Sequence, residues 1–226
     1  MSKPFSTNRS TRRRFLRTTV IGATGLALVE FGMPRKAWAG TYSSQISQSS
    51  DDATETPLGS MHLSFSTLNF KDTQSAWVGL RFQNVTVPTG STIASATLTW
   101  DLAVAPRAAT QEVQIHGELP GSGSNGNSVT FAATANNIST RKRTTSYTAW
   151  NIPTMTGTYN ISSNWSGDSG GSNLSAVIQE IINNSNGWAS GNALSIIVDT
   201  NLSTLDAEIE AWDGSHTNAA QLSVSY

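Results

Sequence analysis

In residues 76–87 (AWVGLRFQNVTV), Val78, Leu80 and Phe82 fall on alternate positions. That is the period of a strand with one buried face. Residues 92–104 (TIASATLTWDLAV) repeat it more loosely with Ile93, Leu98, Trp100 and Leu102. Segments 112–119, 147–152, 193–200, 205–212 and 221–226 continue the theme. Pro88-Thr89-Gly90, Pro120-Gly121 and Asp213-Gly214 punctuate it as turn signals. Many short strands at this spacing predict an all-β fold, an antiparallel β-sandwich or barrel, and not a βαβ fold. One segment breaks the period. Leu174, Val177, Ile178, Ile181 and Ile182 recur at helical spacing, which predicts a short amphipathic helix near 174–184, started by Ser172 or Asn173 and ended by Gly187.

The 226-residue chain has no cysteine, which excludes disulfides, thiolate metal sites and a cysteine nucleophile. Its net charge of −1 averages two unlike parts. Residues 1–39 hold eight of the fourteen bases and one acid, leaving six bases against fourteen acids in the remainder. Such an acidic domain argues against a nucleic-acid partner, because phosphate binding needs a basic face.

Residues 11–17 (TRRRFLR) resemble the twin-arginine export motif through Arg12, Arg13, Phe15 and Leu16. The apolar run 18–29 is too short and glycine-rich to span a bilayer, which takes about 20 apolar residues. Ala37-Trp38-Ala39 supplies a small-x-small cleavage site before Gly40. The expectation is a removed signal peptide over 1–39, an N-terminal extension or edge strand over 40–50, and a single sandwich domain over 51–226. The protein then lies outside the cytoplasm: secreted, periplasmic or on the cell surface.

VGLRFQNVTVPTGSTIASATLTW resembles secreted bacterial jelly-roll modules of the DNRLRE type, in which an Arg-Phe strand leads through a Pro-Gly turn to a Ser-Ala-x-Leu strand. The resemblance continues through the Trp150 strand, SAVIQEIINNSNGWASGNALSIIV and DGSHTNAAQLSVSY, and covers most of residues 45–226. It implies a jelly roll of the sort attached to polysaccharide-active enzymes or displayed on cell surfaces, some of it glycan-binding.

GDSGG at 167–171 resembles the stretch around the nucleophile of trypsin-like proteases. A serine nucleophile needs a histidine base and an acid to orient it. His62, His116 and His216 are the three histidines, and none has that family's neighbours. No catalytic residue is assigned, and the stretch reads as a glycine-rich loop leading into the helix. Asp51, Asp52 and Asp213 form the acidic group suited to a structural calcium, a hard cation that takes six to eight oxygens. No other cofactor is implied. Sugars present apolar C–H faces on which exposed aromatic rings stack, so Trp165 in a polar loop and Trp212 on a polar strand face are the candidate ligand contacts. Arg141 and Arg143, in the Arg-Lys-Arg triplet 141–143, are candidates to grip an acidic polysaccharide, because guanidinium pairs bidentately with carboxylate or sulfate.

The partner expected first is therefore an extracellular or cell-wall polysaccharide, bound without catalysis. The second expectation is the protein itself, as a self-assembling subunit of a matrix, sheath or filament, with the polar strand 41–49 adding to a neighbour's sheet edge. A hydrolase or lyase with an unrecognised site comes third.

Overall fold

The alternating segments become strands because each puts its apolar set on one side. Val78, Leu80 and Phe82 are fully buried, whereas Arg81 and Gln83, on either side of Phe82, are half-exposed. The computed structural model describes residues 39–70, 75–104, 111–152, 157–162, 174–201 and 207–226, all within the unit Lys36–Tyr226. Among them twelve strands and one α-helix build two antiparallel six-stranded sheets.

The first sheet runs β1 (Thr41–Gln45), β12 (Gln221–Ser225), β6 (Ser95–Val104), β11 (Glu208–Glu210), β4 (Thr67–Asn69), with β9 (Gly157–Ser162) on the other side of β6. The second runs β3 (Met61–His62), β2 (Asp52–Glu55), β5 (Trp77–Val85), β10 (Asn192–Asp199), β7 (Gln111–Glu118), β8 (Arg143–Ile152). Between them sits a core centred on Phe70, Trp100 and Trp150, whose ring centroids lie 5.1–6.2 Å apart in tilted and edge-on arrangements. Aromatic pairs prefer such geometry because the edge of one ring is positive and the face of the next negative.

The helix α1 (Leu174–Ile182) packs against β6 of one sheet and β7 and β8 of the other, closing a side of the sandwich. All five of its periodic apolar residues are buried. Gly117 lets it sit this close, since a Cβ there would stand 2.4 Å from Ile181 Cδ1. The second sheet is covered on its outer face too. Phe131 and Ile138, from the connection between β7 and β8, form a smaller core with Ala53 and Ile197. Double burial explains the unbroken apolar run Ile196-Ile197-Val198 in β10.

Several boundaries differ from the sequence reading. β8 begins four residues before the expected 147, in the polar run RTTS. There Glu180 of α1 accepts hydrogen bonds from Thr145 N (2.9 Å), Thr145 Oγ1 (2.9 Å) and Ser146 N (2.8 Å), and tertiary bonds supply what apolar alternation lacks. β11 shrinks to three residues. The helix stops at Ile182, and Gly187, with φ +91°, serves instead in the turn towards β10. Residues 41–45 belong to the sandwich, pairing with β12 along their whole length. This pairing is extended by reciprocal bonds between Gly40 and Tyr226, at 2.7 and 2.9 Å.

Candidate functional site

Two flat ring pairs lie beyond one end of the β4–β11 pair. Ile209 anchors β11 in the core, while Glu208 reaches across to Thr67 Oγ1 (2.6 Å) and Asn69 Nδ2 (3.1 Å), fixing the register Glu208↔Asn69 to Glu210↔Thr67. One further bond, Ala211 N to Ser66 O at 3.1 Å, carries that register past the strands. Phe65 and Trp212 each lie one residue beyond it. The chain then turns tightly at 212–214, with Gly214 N bonded to Ala211 O at 3.1 Å. A Cβ at Gly214 would meet Ser66 O at 2.0 Å, so only glycine allows the turn to lie against the neighbouring chain.

The turn brings His216 onto Trp212, with ring centroids 3.9 Å apart and planes 14° off parallel. Trp212 is half-buried and His216 exposed. On the other side His62 stacks on Phe65 at 4.3 Å and 15°, and Phe65 is 49% exposed. Both pairs are tied to β2: Asp52 accepts a hydrogen bond from Trp212 N at 2.7 Å, and Thr54 pairs with His62. Flat, partly exposed rings on a rigid base are what stacking on a planar or weakly polar ligand face requires.

The three candidate metal acids neighbour one another here, each with a protein partner. Asp51, fully buried, accepts from Arg81 Nη1 at 2.6 Å and from Gln83 Nε2. Asp213 accepts from Ser49 Oγ at 2.7 Å. Burial, reinforced by the charges of Asp213 and Asp51, pushes the Asp52 carboxyl from 3.8 up to about 7 against the opposing Trp212 bond. Among the described residues no group of three or more His, Asp or Glu side chains converges to hold a metal. The acids brace the turn that carries Trp212.

Arg141 does not face solvent, contrary to its expected role as a ligand grip. Its guanidinium bonds Glu118 Oε2 (2.9 Å), Val129 O (2.8 Å), Thr130 O (3.1 Å) and Asn137 O and Oδ1, and lies 4.3 Å over the Phe131 ring. Glu118 also accepts from Ser128 Oγ. This buried network ties the β7–β8 connection down over the second sheet. Arg143 stacks 4.3 Å over Trp77 and donates to Ser139 O at 3.3 Å. Trp165, GDSGG and the export residues Arg12, Arg13, Phe15 and Leu16 lie outside the described residues. Ala39 is exposed, and Gly40 is held beside Tyr226.

Sequence reasoning singled out Trp212 but missed its companions. The signals were short: HLSF puts His62 three residues before Phe65, and WDGSH puts His216 four residues after Trp212 across a glycine turn. Nothing local says that the two segments meet. No protein-family model and no curated protein matches the chain.

Proposed function

We propose that this β-sandwich is an exported, non-catalytic module that binds extracellular or cell-wall polysaccharide across its aromatic end. The observation that carries this reading is the pair of ring stacks, Trp212 on His216 and Phe65 on His62, flanking one backbone hydrogen bond. Two flat surfaces held by separate strands suit successive sugars of a chain, while Asp213 and the two imidazoles offer hydrogen-bond partners for hydroxyls. The twin-arginine-like residues 12–16 support a place outside the cytoplasm.

The test is a pull-down of the full chain on insoluble cellulose, chitin, xylan and peptidoglycan, followed by titration with soluble oligomers of whichever is retained. Trp212→Ala and Phe65→Ala are each expected to weaken binding roughly tenfold or more, as removal of a central aromatic contact does. Retention of full affinity by the double variant, with its fold intact by circular dichroism, rules the aromatic end out.

A second reading, self-assembly, is favoured by a separate observation. β1, at one end of the first sheet, carries no charge and no proline in TYSSQ. Edge strands that must stay unpaired are normally blunted by such residues. Concentration-dependent growth in light scattering, abolished by Ser43→Lys, is the outcome that supports it.

A further inference from the structure

β11 and β12 are two pieces of one line alongside β6. β9 takes one side of β6 over Thr97–Leu102, so β12, paired with Ser95–Thr99, and β11, paired with Leu102 and Val104, share the other side. Both run antiparallel to β6, and residues 211–220 leave the ladder between them. These are the residues that carry Trp212 and His216. Where they loop out, β6 lacks a neighbour at Trp100 and Asp101, and a hollow of about 220 Å³ opens there. Asp101 stands on its β6 side, with Gln45, Gln221 and Asn218 among its walls. It is smaller than the roughly 300–1,000 Å³ of a free-ligand site, which suits one unit of a longer chain.

The walls are held from within. Gln45 Nε2 donates to Thr217 O (3.0 Å) and Ala219 O (2.8 Å), and Ser215 O accepts from Asn218 N (3.2 Å) and Ala219 N (3.0 Å). Asp101 is not held in this way. Its Oδ1 is closed off from solvent and has no donor, although the residue as a whole is only half-buried. A carboxylate oxygen denied both water and a donor favours a ligand that brings a donor and positive charge.

Nothing nearby neutralises this acid. The strands of the first sheet and residues 211–220 contain no Lys or Arg. Among the described residues Arg81, Arg141, Lys142 and Arg143 all belong to the second sheet and its β7–β8 connection. Glu210 follows Ile209, the partner of Leu102, and so takes the β11 position beside Asp101 with a charge of the same sign. The loop adds a further acid, Asp213, which Ser49 Oγ binds, and one imidazole, His216, which lies on Trp212. One acid facing neutral amides, with only acids on the neighbouring strands, selects a cationic ligand.

We infer that the hollow between β11 and β12 is a second saccharide subsite, taking an amino-sugar unit whose ammonium pairs with Asp101. The inference rests on the polysaccharide-binding reading and extends its site along the loop that carries Trp212.

The experiment titrates the full chain calorimetrically with a glucosamine oligomer and with its N-acetylated counterpart, which keeps the sugar and removes the charge, in a mildly acidic buffer that keeps the amine protonated. The same is done for Asp101→Asn, Asp101→Ser and Trp212→Ala, two replacements of Asp101 being made so that one misfolded variant does not end the test. The expected result is about tenfold tighter binding of the amine than of the amide, the worth of one charge-assisted pair. Either replacement of Asp101 should bring the two ligands to equal affinity, whereas Trp212→Ala should weaken both alike. A preference that survives without Asp101, or no preference in the wild type, overturns the subsite and leaves the aromatic end standing. A preference erased with Asp101, with no effect of Trp212→Ala, upholds the subsite and overturns the aromatic end. Calcium titrated alone should give no heat that depends on Asp101, and such a heat would make the hollow a metal site and overturn the amino-sugar assignment. No binding of either oligomer overturns the subsite, and the polysaccharide pull-down then decides the aromatic end alone.

Discussion

Asp52→Asn separates the charge of the buried carboxylate from its shape. Asp52 is 2% exposed and faces Asp51, itself paired with Arg81, together with Asp213 and the Trp212 amide. Its carboxyl is raised from 3.8 to about 7, by burial first and then by the two neighbouring acids. The folded protein therefore keeps a proton that the unfolded chain releases. This stabilisation is complete below about pH 3.8 and is lost as pH rises through about 7. At about 1.36 kcal/mol per pH unit, the interval corresponds to roughly 4 kcal/mol. Asparagine retains an oxygen for Trp212 N but cannot ionise. In urea unfolding, wild type and Asp52→Asn should be similarly stable near pH 4, and the variant should be more stable at pH 8 by an amount approaching that figure. Parallel stability–pH curves would falsify the reasoning, because the difference between the two proteins isolates this one group from every other titration.

Other expectations follow from the network, the helix seat and the edge. Arg141→Ala leaves Glu118 buried without its cation and should cost about 3–5 kcal/mol in chemical denaturation, as broken buried pairs do, without altering the affinity of the folded protein for glycans. Gly117→Ala drives a methyl group into Ile181 and should cost about 1–3 kcal/mol, partly recovered on adding Ile181→Val, as read by thermal melting. Burial pushes the Glu180 carboxyl up, but its bonds from Ser146 and Thr145 outweigh this and hold it below its ordinary 4.5. Its contribution is thus present above about pH 4.5 and lost as pH falls through the lower folded value. Glu180→Gln should remove that acid sensitivity and, by loosening the cover on β8, raise the tendency to associate, measured by light scattering.

Where apolar residues alternate, the sandwich was legible: β5, β6, β7, β10 and β12 lie within a few residues of their expected bounds. Helical spacing likewise revealed α1. Strands made by long-range polar bonds were not legible, since the start of β8 depends on a carboxylate 35 residues away. β2 was hidden for the opposite reason. Its DATE sequence looks like a solvated turn, yet all four residues are buried, with Glu55 accepting from Ile138 N and Ser139 N. The site was legible only as Trp212. Arg141 looked like a free cation because sequence does not show that its donors are met by carbonyls of its own loop. The pairing of Phe65 with the Trp212 turn is a property of register, which no local pattern encodes.

β12 lies between β1 and β6 although it is the last strand in chain order. Until it has been synthesised, the first strand has no neighbour in its sheet and β6 lacks one side over residues 95–99. The growing chain therefore cannot finish this sheet until residues 221–225 have left the ribosome. A translation stop or proteolytic nick shortly before β12 would remove the strand that joins the oldest part of the sheet to the rest, leaving β1 as a loose hydroxyl-rich ribbon. Loss of β12 thus takes out an inner strand of the sheet and not merely its border.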